Sequence, residues 1–281
     1  MTGSEMLNLM LDRYKDFISL TTPTTGKAAI KGLNISQLSR CIFLTYSVQD
    51  DVYPRLSEIA ELKISDNGAE EIFNIAFIDS WHTYESSLEA LGLIENKMID
   101  NSFIFVHDCF PPNLELISES FIPGPWCGVT FAAFRDYAVS SGRDWATVVD
   151  DYGLGILGPR NSVKRKDSSE FDVRWASMTM KEKIASYAES PISVMRGVQS
   201  SDLLAVIDAM ERHGDVSDYV NFDHPMTIPA SNLTKQRDEA IRQRDEAIRQ
   251  RDAAIEQRDA ILQSYSWRLT KILRYLRANK P

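Results

Sequence analysis

The sequence lacks the residue patterns that mark disulfide-rich, zinc-finger and membrane-spanning proteins. It has only three cysteines, Cys41, Cys109 and Cys127, an odd number without the paired spacing of a zinc module. This argues against a disulfide framework and favours a reduced, cytoplasmic setting. No apolar run approaches the roughly 18 residues that cross a bilayer, and the N-terminus lacks a basic region followed by a long apolar one. We therefore expect a cytoplasmic protein that is soluble or peripheral at the inner face of the cell membrane.

Charge is unevenly distributed along the 281 residues. The net charge is −9, but residues 231–281 carry 12 Lys and Arg against 7 Asp and Glu, which leaves −14 on the first 230 residues. A polyanion or an anionic membrane should therefore meet the C-terminal tail. With 43% hydrophobic residues, the chain can bury one substantial core and still carry an extension. We expect an α/β domain over residues 1–160, a helical and irregular extension over 161–230, and a helical tail over 231–281.

Short apolar runs alternate with helical patterns through the first 160 residues. Apolar residues at steps of three and four predict an amphipathic helix over residues 5–20. Beyond it the pattern predicts strands at 41–46, 72–79 and 103–108, helices at 52–62, 84–97 and 129–140, and a final pair of strands at 146–149 and 153–157. Such alternation indicates βαβ units and a mostly parallel, Rossmann-like sheet that finishes with an antiparallel hairpin.

Two of the predicted strands run into acidic residues. Phe77-Ile78 leads to Asp79, and Phe105-Val106-His107 leads to Asp108. Ligands of open parallel sheets lie outside the carboxyl ends of the strands, so we expect both carboxylates at the rim of one pocket, with His82 and His107 nearby. Such a set can hold a divalent cation, orient a ribose or an amine, or act as acid and base. The alternative is that the carboxylates only cap a helix or bind loop amides.

Four segments in the same order and spacing resemble a bacterial subfamily of class I S-adenosylmethionine-dependent methyltransferases. They are FIDSWHTYE, FVHDCFPP, PWCGVTFAAF and VDDYGLGIL, within residues 40–160. The resemblance implies a seven-stranded Rossmann-like sheet and S-adenosylmethionine as cofactor. In metal-assisted members of the wider class, acids at these two strand ends bind magnesium and organise the acceptor hydroxyl. The resemblance therefore implies Asp79 and Asp108 as ligands of a divalent cation such as Mg²⁺.

The N-terminal part departs from that family pattern. Methyltransferases of this class open with a strand and a glycine-rich turn, because the backbone must approach the cofactor closely. No GxGxG motif precedes Asp79. If residues 41–46 form the third strand, too little chain remains for the first two. We therefore expect the cofactor-binding half to be shortened or degenerate, to be lost, or to lie upstream of this sequence.

The C-terminal tail is repetitive and then basic. Four heptads, QRDEAIR, QRDEAIR, QRDAAIE and QRDAILQ, predict a long helix over about residues 234–277. Homo-oligomerisation through residues 234–263 and a solvated single helix both remain open, since arginines fall on the apolar seam. Residues 264–281 combine Trp267 and leucines with basic residues, which fits an anionic membrane surface or packing against protein; nucleic acid is not an expected partner.

Two functions follow from these patterns. SYSWRLTKILRYLR resembles the tail of bacterial glycosyltransferases and methyltransferases of surface-polysaccharide clusters, which implies a carbohydrate or lipid-linked glycan as the acceptor. The first hypothesis is an O-methyltransferase of a sugar hydroxyl in cell-surface polysaccharide biosynthesis, with Asp79, His82, His107 and Asp108 as catalytic residues and one histidine as general base. The second is a catalytically inactive methyltransferase-like scaffold, tethered by its helical tail to a membrane or to partner enzymes.

Overall fold

The computed structural model describes residues 1–22, 32–46, 73–160 and 169–220, and in them seven strands form one mixed sheet. The strands are β1 (Asp16–Thr21), β2 (Arg40–Thr45), β3 (Phe73–Asp79), β4 (Met98–Val106), β5 (Arg143–Val148), β6 (Leu154–Arg160) and β7 (Gly197–Val198). Their order is β2-β1-β3-β4-β6-β5-β7. Only β6 runs antiparallel to its neighbours β4 and β5, whereas the other pairs are parallel. This is a Rossmann-like α/β sheet with an antiparallel portion.

Helices cover both faces of the sheet. They are α1 (Gly3–Met10), α2 (Tyr84–Glu95), α3 (Thr130–Ser141), α4 (Glu170–Ala176), α5 (Met180–Glu189), α6 (Pro191–Met195) and α7 (Leu203–Glu211). Helices α1, α2, α4 and α5 each begin after a Ser or Thr whose side chain accepts a hydrogen bond from a first-turn backbone N–H. These side chains satisfy N–H groups that have no partner inside the helix.

Strand β3 and the second half of β4, residues 103–106, are buried on both faces, which explains their nearly continuous apolar sequences. In β3, Ile75 and Phe77 pack in a cluster with α1 and α7, whereas Ala76 and Ile78 pack in a second cluster with α2 and α3. Strand β4 alternates between the same two clusters. Successive side chains of a strand point to opposite faces, so a strand covered on both sides needs apolar residues at nearly every position.

The helix predicted over residues 5–20 was wrong in its second half. Helix α1 ends at Met10, and residues 16–21 form β1 between β2 and β3. Residues 17–21 are all buried, with Phe17 and Ile18 in opposite clusters. A short apolar run buried on both faces also matches a helical spacing, so periodicity alone could not separate the two. The run at 41–46 is therefore the second strand along the chain, and a first strand precedes it.

Most other predicted elements of the α/β region are confirmed. The strands at 72–79 and 103–108 correspond to β3 and β4, and the helices at 84–97 and 129–140 correspond to α2 and α3. The antiparallel hairpin is also confirmed as β5 and β6. It does not form the edge of the sheet, because the two-residue strand β7 pairs with β5 on the outside. A strand of that length leaves no periodic pattern in a sequence.

The described residues of 1–122 and 126–220 belong to one compact unit. The predicted domain division at residue 160 stays a prediction. Predictions on residues 52–62, on the heptad helix of 234–277, on oligomerisation through 234–263 and on membrane binding through 264–281 lie outside the described residues. Within the described ranges, no helix has both the length and the apolar character needed to cross a membrane.

Candidate functional site

Asp79 and Asp108 meet at the carboxyl ends of two adjacent parallel strands. Asp79 is the last residue of β3, and Asp108 follows β4 by two residues. The backbone N–H of His107 still donates to Ile78, and Asp108 then turns the chain with a φ of 61°. Because β4 has ended by this point, His107 and Asp108 need not face opposite sides of the sheet. Both carboxylates are buried, with exposures of 3% and 6%.

His82 lies between the two carboxylates. Its Nε2 is 3.3 Å from Asp79 Oδ1 and 3.1 Å from Asp108 Oδ2. Its Nδ1 is 2.5 Å from the backbone oxygen of Trp126. A carbonyl oxygen only accepts hydrogen bonds, so Nδ1 carries a hydrogen and Nε2 is the nitrogen that faces the carboxylates.

His107 lies on the other side of Asp108. Its Nδ1 is 3.2 Å from Asp108 Oδ2, and its Nε2 is 3.6 Å from Asp151 Oδ2. Asp151 also accepts a 2.6 Å hydrogen bond from the backbone N–H of Gly3, at the start of α1. The structure therefore brings all four predicted residues, Asp79, His82, His107 and Asp108, into one connected cluster.

Sequence reasoning missed three residues of this cluster: Trp126, Cys127 and Asp151. The Cys127 thiol hydrogen-bonds to Asp108, and burial raises the pKa of this thiol well above its ordinary value. Cys127 thus stays a neutral donor to the carboxylate. The signals that point to these residues are the segments PWCGV and VDDYGLG, which belong to two of the four motifs.

The buried charges of the cluster perturb one another strongly. Burial lowers the pKa of His82, but the charge of Asp108 and the hydrogen bond to Asp79 outweigh it and raise the pKa to about 9. Burial likewise opposes protonation of His107, yet the charge and hydrogen bond of Asp108 raise its pKa well above the ordinary value. Burial would raise the pKa of Asp108, but the charges of His82 and His107 lower it to about 2. Without a bound cation, the cluster therefore holds imidazolium and carboxylate ions at neutral pH.

This charge arrangement predicts a pH-dependent stability for the cation-free protein. The folded-state pKa of His82 lies above its unfolded value of about 6.5, so the stabilisation is fully present below pH 6.5 and is lost as the pH rises towards about 9. Asp108 also makes the stability fall in acid. The ionised carboxylate stabilises the fold, and this contribution is lost as the pH falls from about 3.8 towards 2. We expect urea unfolding in EDTA to show a free energy lower by on the order of 3 kcal/mol at pH 9 than at pH 6. His82→Gln should reduce this difference, and a free energy that stays constant over this range in the unsubstituted protein would contradict the assignment.

An aromatic surface adjoins the cluster. Trp81 and Phe121 stack with ring centroids 5.0 Å apart, and Trp126 packs its edge against both. The Trp126 ring is also 5.3 Å from the His82 ring, and its indole N–H donates to Ser118 O. Trp126 is buried, whereas Phe121 is 38% exposed. The surface therefore extends from the buried histidine towards solvent.

The topological switch point of the sheet lies next to Asp79. Strand β1 pairs with β2 on one side and with β3 on the other, and Thr22 N–H donates to Asp79 O. The described residues at the end of β2 are Thr45 and Tyr46, and the Tyr46 hydroxyl accepts a 2.6 Å hydrogen bond from Trp81 N–H. The described part of this crevice thus carries hydroxyl groups. Residues 23–31 and 47–72, which follow β1 and β2, lie outside the described residues.

Three side chains of the cluster can offer ligands to one metal ion. One atom each from Asp79, His82 and Asp108 lies within 4.8 Å of the others. Comparison with protein-family models and with curated protein sequences gave no match to the chain. The sheet, this cluster and the sequence motifs are therefore the features that bear on function.

Proposed function

We propose that the chain is an S-adenosylmethionine-dependent O-methyltransferase that acts on a sugar hydroxyl in cell-surface polysaccharide biosynthesis. The observation that carries the proposal is the pairing of Asp79 and Asp108 at adjacent strand ends, beside the switch point between β1 and β3. Ligands of open α/β sheets bind at such switch points. The antiparallel strand β6 between two parallel strands agrees with the methyltransferase resemblance of the four sequence motifs.

The two sides of Asp79 suit the two substrates of this reaction. On one side lie the ends of β1 and β2, at the switch point where a nucleoside-like donor would bind. On the other side lie His82 and Asp108, with acidic oxygens for an acceptor hydroxyl. A reaction between donor and acceptor would take place over Asp79.

Methyl transfer needs alignment and a destination for one proton. The acceptor oxygen forms a bond to the methyl carbon as the carbon–sulfur bond breaks, S-adenosylhomocysteine leaves as a neutral thioether, and the hydroxyl proton passes to a base. A divalent cation held by Asp79 and Asp108 would make the hydroxyl more acidic and fix its position. The carboxylates orient the hydroxyl, Asp79 can accept its proton, and alignment of the two reactants supplies much of the rate.

The general-base role predicted for His82 or His107 stays a prediction. In the cation-free cluster both nitrogens of each ring face an oxygen acceptor, so both rings hold carboxylates in place. An imidazolium cannot accept the hydroxyl proton. An Asp79 oxygen is therefore the better candidate for the base in this state, because the neighbouring histidines lower the pKa of Asp108 to about 2.

The aromatic surface supports a sugar as the acceptor. Trp81 lies between Asp79 and His82 in the chain, and it stacks with the exposed Phe121. Aromatic side chains give a ligand a flat apolar contact, and a few polar groups beside them fix its orientation. A pyranose presents both features, with a face of C–H groups and a rim of hydroxyls. One hydroxyl could then reach the carboxylates while the ring packs on the aromatic surface.

The proposal predicts binding of S-adenosylhomocysteine. Isothermal titration of the full chain should show one site with a dissociation constant in the micromolar range, typical of cofactor products. Asp79→Asn should bind the same ligand within about threefold, because this carboxylate acts on the acceptor, but should form S-adenosylhomocysteine at least about 100-fold more slowly with an accepted glycoside.

Absence of heat at millimolar S-adenosylhomocysteine would overturn this proposal. It would favour the second candidate, an inactive methyltransferase-like scaffold tethered by its tail. The hydroxyl-bearing residues Thr45 and Tyr46 at the end of β2 favour that candidate, because an acid usually holds the cofactor ribose at this position in methyltransferases of the class that the motifs resemble. Location at a membrane remains a prediction for either candidate.

A further inference from the structure

We infer that His82 is a third protein ligand of the cation at Asp79 and Asp108, and that this site selects a first-row transition-metal ion over Mg²⁺. The inference deepens the proposed function, since it concerns the cation of the same site. It requires no methyl donor, and cation binding can be measured alone.

The donor atoms have the spacing of metal ligands. Nε2 of His82 is 3.3 Å from Asp79 Oδ1 and 3.1 Å from Asp108 Oδ2. Two ligands at about 2.1 Å from an ion and at right angles to each other lie about 3.0 Å apart, and two opposite ligands lie about 4.2 Å apart. All three donors fall within 4.8 Å of one another, so an ion can bind with small side-chain movements.

The second nitrogen of His82 is already oriented as in metal sites. Metal-binding histidines nearly always donate their other ring N–H to a carbonyl or a carboxylate, which fixes the tautomer and the ring orientation. Nδ1 of His82 donates to the backbone oxygen of Trp126 at 2.5 Å. That carbonyl is held by its own loop, where Cys127 N–H donates to Leu116 O. The ring is thus fixed with Nε2 directed at the two carboxylates.

The ligating carboxylate of Asp108 is supported in the same way. His107 approaches Asp108 Oδ2 with Nδ1 at 3.2 Å, and the Cys127 thiol hydrogen-bonds to this carboxylate. Asp151 holds the far side of the His107 ring at 3.6 Å. Such outer contacts orient a ligating carboxylate, and a scaffold that used Asp108 only to cap a loop would not need them.

The donor set determines which ions the site prefers. Mg²⁺ takes oxygen ligands in near-ideal octahedral geometry and keeps several waters, so one imidazole in a three-residue set disfavours it. Imidazole nitrogen suits Zn²⁺, Fe²⁺ and Ni²⁺, and affinities rise from Mn²⁺ to Cu²⁺ across the series. Two carboxylates balance the charge of a divalent ion when His82 binds as a neutral ring. Co²⁺ is a suitable probe, because its visible absorption reports its ligands.

The test uses the tag-free full chain after removal of metals with EDTA. Calorimetry and visible absorption with Co²⁺ should show one ion per chain, bound at least about 100-fold more tightly than Mg²⁺. His82→Gln should weaken Co²⁺ binding at least about 10-fold and change Mg²⁺ binding by less than about threefold. His213→Gln is the matched control, because His213 is exposed and outside the cluster. It should leave both affinities unchanged.

A spectroscopic measurement on the unsubstituted chain covers the case in which His82→Gln does not fold. Pulsed electron paramagnetic resonance with Cu²⁺ should show coupling to the remote nitrogen of a bound imidazole. Equal affinities for Co²⁺ and Mg²⁺, absence of Co²⁺ binding, or a Cu²⁺ spectrum without imidazole nitrogen would each overturn the inference. If S-adenosylhomocysteine binds but the metal results fail, only this inference falls. If the metal results hold but no cofactor product binds, the methyltransferase proposal falls instead.

Discussion

Asp108→Asn is expected to lower both cation affinity and methyl transfer at least about 100-fold. Asp108 contacts His82 and His107 through the same oxygen, and it is 6% exposed, so no solvent charge can replace it. Asn preserves the shape of the side chain but removes its negative charge. It also tolerates the left-handed backbone of residue 108, where φ is 61°, so the substitution adds little backbone strain. The loss of cation affinity and of methyl transfer should therefore measure the contribution of the negative charge.

The measurement combines calorimetric titration of a divalent cation with the rate of S-adenosylhomocysteine formation. Asp100→Asn is the control, since the Asp100 side chain is 84% exposed and pairs only with Arg160 among the described residues. It should behave like the unsubstituted chain. Binding of S-adenosylhomocysteine by the Asp108→Asn protein should stay within about threefold, which shows that the fold persists. If the Asp108→Asn protein bound the cation as tightly as the unsubstituted chain does, Asp108 would be ruled out as a ligand.

Gly128→Ala is expected to destabilise the fold by about 3 kcal/mol or more and to displace His82. Gly128 has a φ of 60°, and an added Cβ would lie 1.9 Å from the backbone oxygen of His82 and 2.7 Å from its Cβ. Contacts that short involve backbone atoms, so a side-chain rotation cannot relieve them. The next residue, Val129, donates its N–H to this same oxygen at 2.9 Å. Relief of the clash would therefore break that hydrogen bond and move the histidine.

Gly142→Ala separates the steric effect from the backbone effect. Gly142 has a φ of 70°, but an added Cβ there meets no atom within 4 Å. Its substitution should cost only about 1 to 2 kcal/mol, the cost of a left-handed conformation in a residue with a side chain. Urea unfolding of both variants gives the comparison, and Co²⁺ titration should show a weakened site only in Gly128→Ala. Equal destabilisation by the two substitutions would mean that the approach of Gly128 to His82 is unimportant.

The parts of the fold that could be predicted are those with a repeated local signal. Strand β3 and the second half of β4, residues 103–106, are nearly continuous apolar runs, because both are buried on both faces. Strand β1 was missed, since Phe17 and Ile18 continue the spacing of three and four residues that begins in α1. Strand β7 has two residues and no pattern. The error at β1 arose because its local sequence fits two structures and tertiary burial decides between them, whereas β7 is too short to leave a signal.

The sequence by itself determined that Asp79 and Asp108 follow buried strands, and therefore that both carboxylates come to the same end of the sheet. Only the tertiary structure decided how they are used. The Trp126 carbonyl that orients His82 is 44 residues away in the chain, and Asp151 reaches His107 from the β5–β6 turn. Such contacts depend on loop paths and on single hydrogen bonds, which leave no repeating pattern in the sequence. Alternating burial leaves a pattern that can be read along a chain, whereas the partner of a buried histidine is determined by the fold around it.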